Sequence, residues 1–368
     1  MSKISAIASI EEIIDEARNG RPYILVDAED RENEGDVIVP AQFATPDRIT
    51  QMATHARGLI CLALTAGRAA ELNLEQMSSN NRSGHGTAFT VSIEAREGVT
   101  TGISAFDRAR TISVAVRPGC GPNDIVTPGH VFPLVARNGG VLVRAGHTEA
   151  AVDISRLAGL IPAGVICEVM NEDGTMARLP DLITFAKIHG MKIGTIADLI
   201  AYRHRSEKLV ERVAEAPFET HYGEGINIHV YRDLVDHGEH VALVKGDITS
   251  GCETLVRVHQ VDLTADMLGL RSAHHDYVPK AMRLLAAHDG PAVAVFLRDP
   301  DPQSLSHRIT GGRQDYAERK SQRDYGIGAQ ILRDIGVERM TLLTSSSRKM
   351  TALEGFGLKV VGRQPIEV

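Results

Sequence analysis

A charged stretch in the middle of the chain most constrains how its 368 residues can fold. From Asp198 to about Ala216 the sequence is polar, with YRHRSEKLVERVAEA at residues 202–216, and Pro217 closes it. One hydrophobic core does not run through such a segment, and a chain this long divides into two domains on size alone. The boundary is placed near residue 205, giving units 1–205 and 206–368. In the first, Ser9 precedes an apolar-periodic run (Ile10, Ile13, Ile14, Ala17) that Gly20 closes, the pattern of a capped amphipathic helix. Tyr23–Val26, Val37–Val39, Val141–Val143 and Val165–Cys167 read as short buried strands. In the second, strand-like runs at Ile226–Tyr231 and His240–Val244 precede a helix–strand alternation at Gly326–Leu332, Met340–Thr344, Met350–Phe356 and Lys359–Val361. Helices and strands mixed in this way predict a mixed α/β or α+β class.

The net charge is −7, tryptophan is absent and aromatic residues make up 4% of the chain. That argues against a basic, stacking surface for nucleic acid and against attraction to anionic lipid. No apolar run approaches the ~20 residues of a membrane span. Glu11, Glu12, Asp15 and Glu16 occupy the place where a signal peptide keeps its apolar stretch. The four cysteines, Cys61, Cys120, Cys167 and Cys252, form no CxxC pair. A cytoplasmic protein from a reducing compartment is expected.

Chemistry-bearing residues concentrate in the first unit. Residues 29–36 (EDRENEGD) set five carboxylates and one arginine between two apolar strands. Carboxylates this close repel one another, and protonation, solvation or a divalent cation relieves the repulsion. An oxygen-rich, cysteine-free set suits Mg²⁺ or Mn²⁺ better than zinc; the plain alternative is a solvated acidic turn. Further on, a strand is predicted to run into Arg144, and a helix to open at Thr148 or Glu149 with Thr148 as its cap. Gly146 in that turn permits close backbone approach. Free N–H groups at a helix start, beside an arginine, form an anion site suited to phosphate. His147 in the same turn is placed to complete a metal shell begun by the acidic loop. An ordinary capped helix with a surface histidine is the alternative.

Glu168 ends an otherwise apolar strand. Burial there disfavours the charged form and poises a carboxyl for proton transfer, unless an arginine simply pairs with it. His130 follows Thr127-Pro128-Gly129, read as a rigid turn that fixes an imidazole, or else as a structural histidine. Thr100–Arg108 offers a hydroxyl-rich loop before a helix, either a second wall for a polyol phosphate or a plain helix cap. Together these pieces describe a divalent metal, a phosphate anchor and two proton-transfer groups, without a nucleophile elbow, a Walker loop or a dinucleotide fingerprint. Such a set fits isomerisation, elimination or skeletal rearrangement of a sugar phosphate.

Five ordered stretches resemble the 3,4-dihydroxy-2-butanone 4-phosphate synthase family over about residues 5–205. They are DAEDRENEGD (27–36), GTAFTVSIEAREGVTTGISAFDRARTI (86–112), PGHVFPL (128–134), RAGHTEAAVDI (144–154) and GVICEVMNEDGTMAR (164–178). The resemblance implies an α+β lyase of riboflavin biosynthesis that converts ribulose 5-phosphate into formate and 3,4-dihydroxy-2-butanone 4-phosphate. It further implies a homodimer and Mg²⁺ or Mn²⁺, two ions per site. Carried over by motif, Glu32 and His147 would be metal ligands. Arg31, Glu32, Asp36, Arg144, Ala145, Gly146, His147, Thr148 and Glu168 would contact the sugar phosphate. His130 and Glu168 would be catalytic.

The second half resembles GTP cyclohydrolase II over roughly residues 206–367. The carrying stretches are GEHVALVKGDI (238–248), LVRVHQVDLTADMLG (255–269), RDYGIGAQILRDIGV (323–337), MTLLTSSSRK (340–349) and GLKVVGRQPI (357–366). That family holds zinc with cysteines in a SEC…RCDC pattern. Here the matching positions read Gln260-Val261-Asp262 and Arg271-Ser272-Ala273-His274-His275. Asp262, His274 and His275 are the remaining zinc candidates, and loss of thiolates changes both charge and softness, so zinc is not expected. The family's nucleotide loop is unrecognisable at residues 296–306, and its DERDF-like segment reads Ser321-Gln322-Arg323-Asp324-Tyr325. The expectation is a retained scaffold without GTP ring opening, serving assembly, stability or regulation. The alternatives are a bifunctional protein with GTP cyclohydrolase II activity, and a ligand-binding or partner-docking module.

Overall fold

A computed structural model describes residues 7–29, 31–82, 84, 86–270, 276–299, 303–309, 326–344 and 356–366. The chain divides into Met1–Tyr202 and Arg203–Val368. The first unit opens with α1 (Ile10–Arg18), where the Ser9 hydroxyl accepts the Glu12 N–H at 3.3 Å and the Glu12 carboxylate accepts the Ser9 N–H at 3.0 Å. This reciprocal pair satisfies two donors that a helix start leaves unpaired. There follow β1 (Tyr23–Val26), β2 (Gly35–Pro40), α2 (Pro46–Gln51), β3 (Cys61–Leu64), α3 (Ala66–Glu71), β4 (Ile93–Ala95), α4 (Ala105–Val116) and β5 (Ile125–Val135). The unit continues with α5 (His147–Leu157), β6 (Ala163–Glu168), α6 (Leu179–His189) and β7 (Ile193–Thr195), and ends within α7 (Ile196–Ser206), whose last residues fall past the division.

The strands form one mixed sheet, ordered β4-β5-β3-β6-β2-β1-β7. Its strands are apolar on both sides because helices cover both faces. Tyr23, Leu25, Ile38, Cys61 and Ile166 pack against α1, α5 and α7, while Ile24, Val37, Val39, Leu62 and Val165 pack against α2, α4 and α6. Val141–Val143 is not the strand expected: residues Gly140–Leu142 make one 3-10 turn that leads into α5.

The second unit contains β8 (Val210–Pro217), β9 (Ile226–Asp233), β10 (Glu239–Lys245), β11 (Glu253–Gln260), α8 (Leu263–Asp266), α9 (Tyr277–Ala287), β12 (Ala292–Leu297), α10 (Ser304–Ile309), α11 (326–335), β13 (Arg339–Leu343) and β14 (Lys359–Gln364). Its mixed sheet is ordered β14-β13-β11-β12-β10-β9-β8. The helix expected at Met350–Phe356 lies outside the described residues except for Phe356. The charged stretch that marked the boundary is regular structure: the polar end of α7, then β8 at the sheet edge, exposed along nearly its whole length. Charged side chains on an edge strand discourage pairing with another chain, which accounts for the composition there.

Candidate active site

Sheet register gathers the acidic residues at one end of the first unit. Asp36 on β2 lies opposite Leu25 on β1 and, on its other side, opposite Glu168 on β6. Both carboxylates are two residues beyond Ile38 and Ile166, so they share the face that carries α5. The core layer ends there and a polar row begins.

The acidic loop folds around Asp27. The buried Asp27 carboxylate accepts the Glu34 N–H at 2.8 Å, the Glu32 N–H at 3.1 Å and the Arg31 guanidinium at 2.8 Å. Arg31 also holds the Glu32 carboxylate, at 2.5 Å. Asp30 lies outside the described residues. Across from the loop, His147 is the buried first residue of α5, and its Nε2 donates to the Leu25 carbonyl at 3.2 Å. Its Nδ1 therefore faces Glu32 at 3.8 Å and Asp36 at 3.7 Å. One ligand atom each from Asp27, Glu32 and His147 lies within 4.8 Å of the others. Asp27 was missed because it precedes the carboxylate run; the only sequence signal was an acid directly after an apolar strand.

Electrostatics record the crowding. Burial pushes the Asp36 carboxyl up to about 7, against the pull of His147 and with the repulsion of Glu168 and Glu32. Burial opposes charge on His147, but Asp36 and Glu32 outweigh it and raise the imidazole to about 9. Burial likewise opposes charge on Glu32, yet His147 and Arg31 bring it down to about 2. Asp36 Oδ1 is buried without a hydrogen-bond partner. A buried unsatisfied oxygen, neighbouring carboxylates and an imidazole oriented through its other nitrogen make a donor set that fits a hard divalent cation.

The turn before α5 differs from expectation. Gly146, not Thr148, is the cap, and Thr148 is a buried second residue of the helix. Arg144 is tied to Glu149 at 2.6 Å and to the Thr87 hydroxyl at 3.0 Å. Its guanidinium lies over Gly146, where any Cβ would overlap it. The glycine thus admits the chain's own arginine to the helix start, and Ala145 is the half-buried link between them.

Glu168 is half-buried and accepts the Leu59 N–H at 2.9 Å; a Cβ at Gly58 would collide with it. Cys61 is buried on β3, and burial raises its thiol. His130 is not in a turn but within β5, where the register against β4 shifts, Ile93 facing Val131 and Glu94 facing Val126. The extra residues bulge, and a bulge re-aims side chains. His130 Nδ1 meets Glu94 Oε2 at 2.6 Å, a partner that sequence reasoning did not single out. The Thr100–Gly102 loop is a local cap: Asp107 accepts Thr100 Oγ1–H at 2.8 Å and the Gly102 N–H at 2.9 Å.

In the second unit, Asp262 caps α8, accepting the Thr264 N–H at 3.1 Å and the Thr264 hydroxyl at 2.7 Å. His274, His275 and Ser321–Tyr325 lie outside the described residues.

The sequence model of the 3,4-dihydroxy-2-butanone 4-phosphate synthase family matches residues 11–202, and that of GTP cyclohydrolase II matches residues 211–365. A 3,4-dihydroxy-2-butanone 4-phosphate synthase of Neisseria meningitidis serogroup B is 48% identical over 99% of this chain and 100% of its own. The riboflavin biosynthesis protein RibBA of Aquifex aeolicus is 49% identical over 98% of this chain and 92% of its own. Among solved structures, RibBX, a two-domain 3,4-dihydroxy-2-butanone 4-phosphate synthase from A. baumannii, matches with a TM-score of 0.81 at 43% identity, covering 98% of this chain and 100% of that one. A 3,4-dihydroxy-2-butanone 4-phosphate synthase in complex with two magnesium ions matches with a TM-score of 0.52 at 39% identity, over 54% of this chain and 98% of that one. With its acidic loop, its RAGHT turn and a family match across more than half its length, the chain belongs to the 3,4-dihydroxy-2-butanone 4-phosphate synthase family, enzymes of riboflavin biosynthesis.

Proposed function

We propose that residues 1–205 convert D-ribulose 5-phosphate into formate and 3,4-dihydroxy-2-butanone 4-phosphate with a divalent cation held by Glu32 and His147. The observation that carries this is the cluster of ligand atoms from Asp27, Glu32 and His147 within 4.8 Å of one another, with Asp36 Oδ1 3.7 Å from the same His147 Nδ1. Asp27 fixes the loop that presents Glu32. Mg²⁺ or Mn²⁺ suits the oxygen-rich set, and the relative with two magnesium ions supports two ions per site. When bound, the cation supplies Lewis-acid polarisation of the sugar's vicinal oxygens.

The chain's own residues do the rest. Arg144, seated at the α5 start with Ala145, Gly146 and Thr148, supplies charge and N–H donors for the phosphate. Arg31, Glu32 and Asp36 line the sugar-binding side. Glu168 and His130 move the protons: one takes a carbon-bound hydrogen of the ketose, the other returns a proton to the rearranged skeleton. The products together contain the atoms of the substrate, so proton transfer and bond rearrangement suffice. A homodimer and a cytoplasmic location belong to the same reading.

We read residues 206–368 as a scaffold without GTP ring opening, because Asp262, at the position of a family cysteine, is engaged as a helix cap. The test is formate release by the purified full chain. Ribulose 5-phosphate with Mg²⁺ is expected to give one formate per substrate; no formate after metal restoration overturns the assignment.

A further inference from the structure

We infer that Arg178 is a positioning residue that keeps the acidic loop in its cation-ready shape, gripping the loop's carbonyls while Asp27 grips its N–H groups. The inference rests on the reading above that this loop takes a divalent cation. Inside the loop, the Ala28 carbonyl accepts the N–H groups of Arg31 and Asn33, at 3.0 and 3.3 Å. Asp27 accepts those of Glu32 and Glu34. All four N–H groups from Arg31 to Glu34 therefore have partners within the chain. The carbonyls at the tip go elsewhere: Arg178 Nη1 donates to the Glu32 carbonyl at 2.8 Å and also to that of Asn33. Asn33 has a φ of +54°, in the left-handed region, which a residue with a side chain keeps only where its surroundings over-determine it. One guanidinium thus closes the backbone of the residue that presents Glu32 and of the strained residue after it.

Arg178 is itself tied to the other half of the site. Just past Glu168, the Val169 N–H donates to the Gly35 carbonyl at 3.0 Å, where β2 begins. The chain then turns back, with Met170 opposite Met176, and the Ala177 N–H donates to the Val169 carbonyl at 3.0 Å. Arg178 follows as the cap of α6, its own N–H bonded to the Asp181 carboxylate at 3.0 Å. One turn into α6, Leu182 lies so close on Gly35 that a Cβ there would overlap it. The exposed Arg178 side chain therefore joins the strand that carries Glu168 to the loop that carries Glu32. Two roles for this guanidinium differ in sign. A positive charge near a cation site repels the cation, so losing a merely electrostatic Arg178 would tighten Mg²⁺ binding. Losing a brace weakens it, because apparent affinity falls with the fraction of chains whose loop presents Glu32.

The test compares the native full chain with Arg178→Ala and Arg178→Lys, first stripped of metal and then titrated with Mg²⁺ alone by calorimetry. Arg178→Ala is expected to weaken Mg²⁺ binding by about 10-fold, the lower end for losing a group that orients a metal ligand. Arg178→Lys, which keeps a charge and a donor, should recover part of that loss. Hydrogen exchange of the metal-free chains should speed up at the amides of residues 31–34 in Arg178→Ala, with the sheet amides of β1 and β6 unchanged. Turnover of ribulose 5-phosphate lost at low Mg²⁺ should return as Mg²⁺ is raised. Native or tighter Mg²⁺ binding in Arg178→Ala overturns the inference. So does exchange that rises equally across the whole first unit, which would make Arg178 a general structural support. A native chain that takes up no Mg²⁺ would instead remove the cation reading, and the exchange pattern would still decide whether Arg178 holds the loop.

Discussion

Glu32 sits between a guanidinium at 2.5 Å and an imidazole at 3.8 Å, on a loop that the Asp27 carboxylate ties from inside. Glu32→Gln keeps the volume and removes the charge. Turnover is expected to fall by about 100-fold or more, and the thermal stabilisation that Mg²⁺ gives the native protein is expected to vanish. Native rates with intact stabilisation by Mg²⁺ would count against Glu32 as a ligand. At this scale the motifs pointed to Glu32, His147 and Glu168. Asp27 and Glu94 were hidden, because a carboxylate's task is set by the N–H groups and rings that fold against it. No spacing along the chain announces that Glu94 on β4 meets His130 on β5.

Elements decide where those residues point. The α5 start is built around Gly146, and Gly146→Ala would push a methyl into the Arg144 guanidinium and toward Glu149. The expected result is a raised KM for ribulose 5-phosphate with a smaller change in kcat, read by initial rates; an unchanged KM would detach Arg144 from phosphate binding. In the second unit, Asp334 on α11 accepts the Tyr231 hydroxyl at 2.8 Å and Arg212 Nη2 at 2.8 Å. Burial opposes its charge, but these two bonds outweigh burial and hold its pKa below the usual aspartate range. A depressed carboxyl contributes stability above its unfolded pKa, about 4, and loses it as pH falls through the lower folded value. The stability gap between the native protein and Asp334→Asn should therefore be widest near neutrality and narrow below about pH 4 in pH-resolved melts. A gap that stays constant would mean that charge plays no part. Here the sequence was legible where patterns are local: the Ser9–Glu12 capping pair and the apolar strands. It misled at Val141–Val143, whose apolar run is a turn, and at His130, placed by a bulge that depends on pairing with β4.

Over the whole molecule, two family matches cover one chain, and in the first unit the motif residues Glu32 and His147 come together with Asp27. The Asp262 side chain satisfies the donors at the start of α8, a task for which a carboxylate oxygen suits and a thiolate does not. The full chain supplied with GTP and zinc is expected to release no formate; release that scales with enzyme would restore the bifunctional alternative. The sequence by itself determined the two-unit division, the α+β class and the family, because length, periodicity and ordered motifs are properties of the chain. Tertiary structure alone decided that Asp27 braces the metal-loop backbone, that Arg144 folds over Gly146, and that Glu94 grips His130. Those contacts join residues by sheet register and by helix packing on a sheet face. Their energies depend on burial and on distances of a few ångströms, which no order of residues specifies until the chain has closed.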